Sequence, residues 1–316
     1  MPVSVIIKTL NEEKRIAATI ESALAALDGI GGEVIVADSG SLDRTIEIAA
    51  RYRVIVAQIV PPARPSCGIG PQLGFQHSRG DFLCLLDGDM LLDQAFLVDA
   101  LAFLAENPSA GGVTGHVEEM QTLNLEYARR VHRHAPENRI GPIDRMNGGG
   151  LYRRAAIAQA GYLSDRNLHG YEEFDLGIRL RDAGWQLHRL DRRFVRHFGH
   201  TLNSYRLLLR RWNNKYLYGI GELLRASLGR PYFFQLLREL PELKLWGAVY
   251  LWWALSVGLL VFMSDKWLAL GLVLALLAGI VALMSLRKGG LGMGLIPSSP
   301  GSSMLPRSPQ ASSAGG

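Results

Sequence analysis

Two long uncharged stretches near the C-terminal end limit the folds open to this chain of 316 residues. No charged side chain occurs from Leu245 to Met263, which is 19 residues, or from Trp267 to Leu286, which is 20 residues. An α-helix needs about 20 residues to cross the hydrocarbon core of a bilayer, and such runs are rare in soluble helices. The three residues between them leave room only for a tight turn. The pattern predicts a hairpin of two transmembrane helices at 244–287.

Basic residues on the outer flanks of the stretches predict their orientation. Arg238 and Lys244 precede the first stretch, and Arg287 and Lys288 follow the second. Because basic residues favour the cytoplasmic side, both termini and the region before the hairpin are expected in the cytoplasm. The N-terminal residues lack the basic, apolar leader of a secretory signal. We therefore expect a multi-pass membrane protein with two spans.

The net charge of +5 and the pI near 9.3 raise the question of an acidic partner. The chain has no zinc-ligand spacing, no RNA-binding aromatic signature and no basic recognition helix, so nucleic acid is not expected. Leucines and aromatics alternate with arginines at helical spacing in 204–243. This pattern is typical of helices that lie in the membrane interface, and also of amphipathic helices that cover a domain. The two interpretations are compatible.

Alternating strand and helix patterns before residue 111 predict an α/β domain. Apolar strands are expected at 3–7, 34–37, 54–60 and 82–86, with helices between them. This order predicts parallel βαβ units in a Rossmann-like, three-layer α/β/α arrangement. The same domain is expected to continue to residue 203, and the glycine-, serine- and proline-rich tail at 288–316 to be disordered.

The second half of this domain mixes both element types. Strands are expected at 111–117, 148–154 and 185–191, and helices at 122–134, 154–160 and 172–183.

Polar side chains follow three of the predicted strands directly. Asn11, Asp38, Asp87 and Asp89 all lie just past a strand end. Ligands of open α/β sheets bind outside the carboxyl ends of the strands, so these residues are expected to converge. If 87–89 stays extended, both aspartates project to one side and can share a cation. Mg²⁺ or Mn²⁺ suits such oxygen ligands and commonly shares them with substrate phosphates.

Four motifs together resemble one known family. They are "TLNEE" (9–13), "VIVADSGSLDRT" (34–45), "LLDGDM" (85–90) and "YEEFDLGIRLRDAGW" (171–185). Their order and spacing resemble those of family 2 of the inverting glycosyltransferases, which have the GT-A fold. The resemblance covers about residues 3–200 and implies a nucleotide-sugar donor and a divalent metal, Mg²⁺ or Mn²⁺.

The resemblance also implies roles for individual residues. The positions that match the nucleotide-binding motifs are Thr9, Asn11, Glu12 and Asp38. Helix capping is an alternative role for Asn11 and Glu12, and Asp43 is expected to serve mainly a helix N-terminus. Asp87 and Asp89 match the Asp-x-Asp signature that carries the metal and, through it, grips the donor diphosphate.

The fourth motif differs from the usual family pattern. The family has Glu-Asp where this chain has Glu172-Glu173, so Glu173 occupies the position of the catalytic base. A glutamate can take the proton of an acceptor hydroxyl as an aspartate does. Either glutamate is a candidate base, and the alternative for Glu172 and for Asp175 is a favourable interaction with the helix dipole.

Two further features resemble family motifs more weakly. His197 and His200 match a downstream histidine that contacts the metal or diphosphate, although a structural role is the alternative. "LLRRW" (208–212) resembles the Gln-x-x-Arg-Trp signature of processive synthases, but Leu208 stands in place of Gln. This difference favours transfer of single sugars, with Arg210 and Arg211 facing the diphosphate or anionic lipid.

The resulting hypothesis is an inverting, metal-dependent glycosyltransferase at the cytoplasmic membrane face with a lipid-linked or glycan acceptor. One alternative is a catalytically silent nucleotide-sugar-binding or scaffold subunit, motivated by the glutamate at the base position. A nucleotidyltransferase ranks lowest, because the glycine- and lysine-rich phosphate loop of such enzymes is missing.

Overall fold

The computed structural model describes residues 2–120, 139–199 and 204–287. The helix predicted at 122–134, the candidate ligand His200 and the tail at 288–316 lie outside the described residues.

The described strands form one mixed sheet of nine strands. They are Val3–Thr9 (β1), Gly32–Asp38 (β2), Ile55–Gln58 (β3), Phe82–Asp87 (β4), Met90–Leu92 (β5), Ala110–Glu119 (β6), Gly141–Ile143 (β7), Gly150–Arg153 (β8) and Gln186–His197 (β9). The order across the sheet is β3-β2-β1-β4-β8-β6-β9-β5, with β7 paired to β9. The first four strands are parallel, as predicted, whereas β8 runs antiparallel to both β4 and β6.

The helices of this part alternate with the strands. They are Ile16–Ala26 (α1), Thr45–Ala49 (α2), Ile69–His77 (α3), Phe96–Glu106 (α4), Arg154–Gln159 (α5) and Glu172–Asp182 (α6). The α/β class predicted from the sequence is therefore confirmed.

Helices cover both faces of the sheet because its central strands are apolar on both sides. One core cluster joins Ile7 and Leu86 to helical residues such as Ile16 and Leu97. The opposite cluster joins Ile6 and Leu85 to the helices α5 and α6. Alternate residues of one strand point to opposite faces, so the run in β1 supplies both cores.

The glycine-rich segment 68–74 forms the start of helix α3. Helix α3 begins at Ile69, and its Gly74 packs directly on the sheet. A Cβ at Gly74 would stand 2.3 Å from Cγ2 of Ile6, so the helix approaches β1 this closely only with glycine there.

Short helices follow β9. They are Ser204–Asn213 (α7), a 3₁₀ turn at Tyr216–Tyr218, Gly219–Ser227 (α8) and Phe233–Glu239 (α9). A third core cluster packs α8 and α9 against α6 through Leu223, Leu236 and Ile178.

Two longer helices end the described chain, Pro241–Phe262 (α10) and Lys266–Arg287 (α11). Asp265 accepts hydrogen bonds from the first amides of α11, and Lys266 donates to the last carbonyls of α10. The chain divides into two compact units, Met1–Trp246 and Gly247–Gly316.

One helix among the described residues, Glu242–Phe262, has the length and composition to cross a membrane, and only 6% of its most apolar window is buried. The apolar part of α11 described with its side chains, Lys266–Ala282, falls below that length. Two spans and their orientation therefore stay predictions.

Candidate active site

Three parallel strands end side by side at one edge of the sheet. The register pairs Thr9 with Asp38, and Lys8 with Asp87. The candidate residues of three separate motifs therefore lie at neighbouring strand ends. This is the position at which open α/β sheets bind ligands.

Asp38 organises the loop that follows β2. It is fully buried, and its carboxylate accepts hydrogen bonds from the hydroxyls of Thr9 and Ser41, from the amides of Gly40 and Ser41, and from the Gln58 side chain. A buried carboxylate is stable only with such partners. Asp38 therefore shapes the loop at 39–41, and the sequence motif did not reveal its partners Ser41 and Gln58.

Asn11 does not cap helix α1, contrary to the sequence prediction. The helix begins at Ile16, and the Asn11 side chain instead accepts a hydrogen bond of 2.8 Å from the amide of Leu42. Its φ of 59° is the left-handed conformation that asparagine tolerates better than most residues. Asn11 thus joins the loop after β1 to the loop after β2. Asp43 accepts from the amide of Thr45 at the start of α2, as expected.

Three carboxylates, those of Glu12, Asp87 and Asp89, are close enough to influence one another. Residues 88–89 form a turn and not the extended segment considered above, because β4 ends at Asp87 and β5 begins at Met90. A Cβ at Gly88 would stand 2.8 Å from Cγ of Glu12, so glycine lets this turn approach Glu12. Burial and the two aspartates raise the pKa of Glu12 to about 8.

The chemistry of this group suits a hard divalent cation. Burial raises the pKa of Asp87, and its Oδ1 atom accepts no aligned hydrogen bond from the described residues, although Lys8 Nζ lies 3.0 Å away. No group of three or more His, Cys, Asp or Glu side chains within the described ranges forms a metal site by itself. Mg²⁺ and Mn²⁺ commonly take one or two carboxylates and complete their shell with water and phosphate oxygens. Asp87 and Asp89 fit that pattern.

His197 lies between two acids at the end of β9. Its Nε2 atom is 3.4 Å from Asp89 Oδ2, and its Nδ1 atom is 2.6 Å from Glu119 Oε2. Burial opposes a charged ring, but the two carboxylates outweigh burial and raise the pKa of His197 to about 10. The ring is therefore a cation that orients Asp89, and it must lose a proton before it can ligate a metal. Glu119 is a partner that the sequence did not indicate.

Glu173 lies at the start of α6 in a pocket that is also lined by Lys8, Asp87 and Glu172. Its Oε1 atom accepts a hydrogen bond of 2.8 Å from the amide of Gly148. Gly148 has φ of 79°, and a Cβ at Gly149 would stand 2.3 Å from the carbonyl oxygen of Leu85. The "NGGG" segment (147–150) therefore brings a backbone donor to the candidate base.

The charge state of Glu173 is set by competing neighbours. Burial raises its pKa, Lys8 lowers it, and Glu172 raises it again, with a net value of about 7. A general base is most effective when its pKa lies near the working pH. Glu173 has this property. The other candidate base, Glu172, lies 3.5 Å from Lys8 Nζ.

Asp175 has a structural role within α6. Its carboxylate forms a buried ion pair of 2.8 Å with Arg179, one helical turn away. The arginine also donates to the carbonyls of Ala160 and Tyr162. Asp175 therefore fixes α6 against the segment that precedes it and faces away from the acidic pocket.

Helix α7 brings arginines towards the site. The positive charge of Arg210 lowers the pKa of Glu12, which places it near the carboxylates. The guanidinium of Arg211 lies 5.1 Å from the ring centroid of Tyr216, and that ring packs over Gly170 beside the start of α6. Arg211 thus contacts a tyrosine that packs on the segment just before α6.

Comparison with known sequences identifies the class of this α/β domain. The sequence profile of "Glycosyl transferase family 2" matches residues 4–159. The hexosyltransferase Agl6 of low-salt glycan biosynthesis in Haloferax volcanii is 45% identical over 92 residues, which are 28% of this chain and 21% of that protein. The succinoglycan biosynthesis protein ExoA of Rhizobium meliloti is 25% identical over 210 residues, 60% of each chain. The chain thus spans between about a fifth and three fifths of these relatives.

Solved structures share the fold. A crystal structure of Staphylococcus aureus TarS 1–349 has a TM-score of 0.52 at 21% identity and covers 63% of this chain and 60% of that one. A crystal structure of Mycobacterium tuberculosis glucosyl-3-phosphoglycerate synthase with Mn²⁺, UDP-glucose and phosphoglyceric acid has a TM-score of 0.52 at 19% identity, covering 70% of this chain and 79% of that one. The fold is therefore GT-A-like, and residues 4–159, about half of the chain, match glycosyl transferase family 2.

Proposed function

We propose that this protein transfers a sugar from a nucleotide-sugar donor to an acceptor hydroxyl or phosphate, with inversion and with a divalent metal. The proposal depends on one observation: two groups of acidic side chains lie near each other, one at the strand ends and one at the start of α6. Glu12, Asp87 and Asp89 form the first group, and Glu173 with its pKa of about 7 belongs to the second. The family match and the relatives named as glycan-building enzymes support it.

The donor nucleotide is proposed to lie over the loops after β1 and β2. Thr9 and Asp38 fix the edge of the sheet there, and Asn11 ties the two loops together. The similar crystal structure of glucosyl-3-phosphoglycerate synthase, which contains Mn²⁺ and UDP-glucose, supports a nucleotide sugar as ligand and a divalent metal as cofactor. Arg211, which contacts Tyr216 beside the start of α6, is proposed to face the diphosphate.

Asp87 and Asp89 would hold the metal, which offsets the charge of the leaving diphosphate when bound. Glu12 lies beside them, and its raised pKa reflects the excess of negative charge that a cation would relieve. His197 keeps Asp89 in place through its second contact with Glu119. His200 remains a sequence-based candidate for the same site.

Glu173 is proposed as the base of a single in-line displacement. Its carboxylate takes the proton of the acceptor hydroxyl while that oxygen forms a bond to the anomeric carbon. The bond from this carbon to the donor phosphate oxygen breaks, and the nucleoside diphosphate leaves with the electron pair. One displacement inverts the anomeric configuration. The glutamate at the base position was the reason to consider a catalytically silent subunit. The hydrogen bond from Gly148 fixes this glutamate in the pocket and so supports a catalytic role.

We propose that α10 and α11 anchor the protein in a membrane. The acceptor is proposed to be lipid-linked and to lie at the cytoplasmic face of that membrane. Helix α10 is long and apolar enough to span a bilayer. In 204–240, just before it, Leu209, Trp212 and Phe234 are 64%, 61% and 72% exposed. Exposed apolar side chains among arginines suit the boundary between lipid headgroups and acyl chains.

Hydrolysis of nucleotide sugars by the full chain in detergent tests the proposed activity. A panel of UDP- and GDP-sugars with Mn²⁺ is screened first by thermal shift, and the donor that stabilises most is then assayed for release of nucleoside diphosphate. Asp89→Ala is expected to lose this activity, whereas Asp191→Ala, an exposed carboxylate elsewhere on β9, is expected to keep it. Undiminished metal-dependent turnover in Asp89→Ala would overturn the role of Asp89.

A further inference from the structure

Lys8 is a cation inside the acidic pocket that the motifs did not single out. It precedes Thr9 on β1, and successive residues of a strand point to opposite faces, so its side chain points away from the Thr9–Asp38 pair. Its Nζ atom lies 3.0 Å from Asp87 Oδ1 and 3.5 Å from Glu172 Oε1. The side chain is 23% exposed.

The surroundings of Lys8 keep it charged and confined. Burial disfavours the ammonium group, but the carboxylates of Asp87, Glu172 and Glu173 outweigh burial and raise the pKa of Lys8 well above its usual value. Helix α3 passes close to its stem, since a Cβ at Gly70 would stand 3.3 Å from Cβ of Lys8. The ammonium therefore has few other positions to adopt.

The two contacts connect elements that are far apart in the sequence. Asp87 ends β4 next to the proposed metal position, whereas Glu172 begins α6 next to the proposed base. One side chain thus spans the two halves of the site. The Oδ1 atom that faces Lys8 is also the buried oxygen of Asp87 without an aligned hydrogen bond.

We propose that Lys8 is a positioning residue with two effects: it holds the start of α6 at the correct distance from Asp87, and it competes with the metal ion for Asp87 in the donor-free protein. The inference rests on the proposed function, because it assumes that Asp87 binds a metal. Asp87 would exchange its contact with the ammonium group for a metal ion when the donor binds, and Lys8 would keep its contact with Glu172. Lys8 makes metal binding weaker without donor and keeps Glu173 in place for the reaction.

When the positive charge of Lys8 is removed, the two effects predict opposite changes: Mn²⁺ affinity rises and turnover falls. In Lys8→Met, Mn²⁺ is expected to bind the donor-free protein roughly tenfold more tightly, since one nearby positive charge is lost. Turnover is expected to fall by about tenfold to a hundredfold because the base is less well oriented, with a smaller change in the KM for the donor. A purely structural role would weaken Mn²⁺ binding and turnover together.

The experiment compares full-length variants in detergent. Mn²⁺ affinity is measured by titration calorimetry without nucleotide, and turnover by release of nucleoside diphosphate. Lys8→Arg keeps the charge and is expected to restore Mn²⁺ affinity to within about threefold of the wild-type value. Lys14→Met, an exposed lysine before α1, is the matched control. Lys8→Gln, with a polar side chain, replaces Lys8→Met if the latter does not fold.

Each outcome decides a different claim. If the wild-type protein binds Mn²⁺ and turns over donor but Lys8→Met binds Mn²⁺ equally or more weakly, the role of Lys8 is wrong and the proposed function stands. Unchanged turnover in Lys8→Met also contradicts it. If the wild-type protein neither binds Mn²⁺ nor releases nucleoside diphosphate from any donor, the proposed function itself fails.

Discussion

Acidic residues of the candidate site differ in their charge at neutral pH because each has different neighbours. Glu12, next to two aspartates, has a pKa of about 8, and Glu173, near Lys8, has a pKa of about 7. Asp87 is half-buried and lies 3.0 Å from an ammonium group. Glu12 therefore belongs to a group whose negative charge a cation would relieve, whereas Glu173 can exchange a proton near neutral pH.

Removal of the proposed base should slow transfer strongly. Glu173→Gln keeps the size of the side chain and its contact with Gly148 but cannot accept a proton. Turnover is expected to fall by about 10²–10⁴-fold, while donor binding with Mn²⁺ stays within about threefold. Steady-state kinetics and calorimetry measure the two quantities. In the companion variant Glu172→Gln we expect a smaller loss of turnover. A larger loss in Glu172→Gln than in Glu173→Gln would assign the base to Glu172.

The pKa of Glu173 also predicts the pH dependence. Because the pKa is raised, the carboxyl is protonated and inactive at low pH and becomes a base as the pH rises through about 7. We therefore expect kcat/KM to increase from pH 5.5 to about pH 8, with its midpoint near 7, and then to level off. A bound divalent cation lowers the pKa, so the inflection with Mn²⁺ should lie at or slightly below 7. A flat profile across this range would argue against Glu173.

Sequence motifs located the acids of the site but not their partners. Asp87, Asp89 and Glu173 follow from motif positions, and the structure brings them to the same edge of the sheet. Lys8 and Glu172 are 164 residues apart, and His197 and Glu119 are 78 apart. No local pattern encodes such pairs. The one signal available for Lys8 was a lysine directly after the first predicted strand.

Helix α6 carries the catalytic candidate at its first turn and is anchored further along. The buried pair of Asp175 and Arg179 joins it to the carbonyls of 160–163, and Arg181 pairs with Glu239 of α9 at 2.6 Å. Tyr171, just before the helix, donates to Glu242 at the beginning of α10. The position of Glu173 thus depends on the segment that leads to the apolar helix.

Disruption of the buried pair should destabilise this unit. Asp175→Asn leaves the guanidinium of Arg179 buried without its counter-charge, so the free energy of unfolding is expected to fall by about 3 kcal/mol. Chemical denaturation followed by circular dichroism measures it. Asp182→Asn, an exposed aspartate on the same helix, should change stability by less than about 0.5 kcal/mol. Equal, small effects of both substitutions would show that the pair does not anchor α6.

The elements themselves were largely predictable, because periodicity and strand composition are local. Strand β1 extends two residues beyond its predicted end, and α6 lies within one residue of its predicted bounds. The order of the sheet from β8 onwards was not predictable, since it depends on contacts between distant strands. The turn at 88–89 was also missed. It leads into the short strand β5, which pairs with β9 more than a hundred residues further along the chain.

The net charge of the whole chain is concentrated in one segment. Residues 204–240 contain seven basic and two acidic side chains, whereas the other residues contain 27 of each sign. Both acids of the segment are paired within the domain, Glu222 with His169 and Glu239 with Arg181. The excess positive charge therefore lies immediately before the candidate span, where anionic lipid headgroups would attract it.

Lipid composition should change the exposure of this segment. In nanodiscs that contain anionic lipid, the backbone amides of 204–240 are expected to exchange with deuterium more slowly than in zwitterionic nanodiscs. Mass spectrometry of the full chain measures this difference. Substitution of Arg225, Arg230 and Arg238 by Gln should remove it, whereas the same change at Arg53, Arg64 and Arg79 should not. Equal exchange in both lipids would contradict the interface proposal.

Whether nucleotide binding requires a divalent cation tests the account most directly. We would titrate UDP and GDP into the full-length protein by calorimetry, first with Mn²⁺ and then after exhaustive chelation, and repeat the titrations with Asp89→Ala. At least one nucleotide is expected to bind the wild-type protein with Mn²⁺ and to lose at least about tenfold in affinity without it, because Asp87 and Asp89 are proposed to contact the diphosphate only through the metal. Equal affinity with and without metal would contradict the central claim.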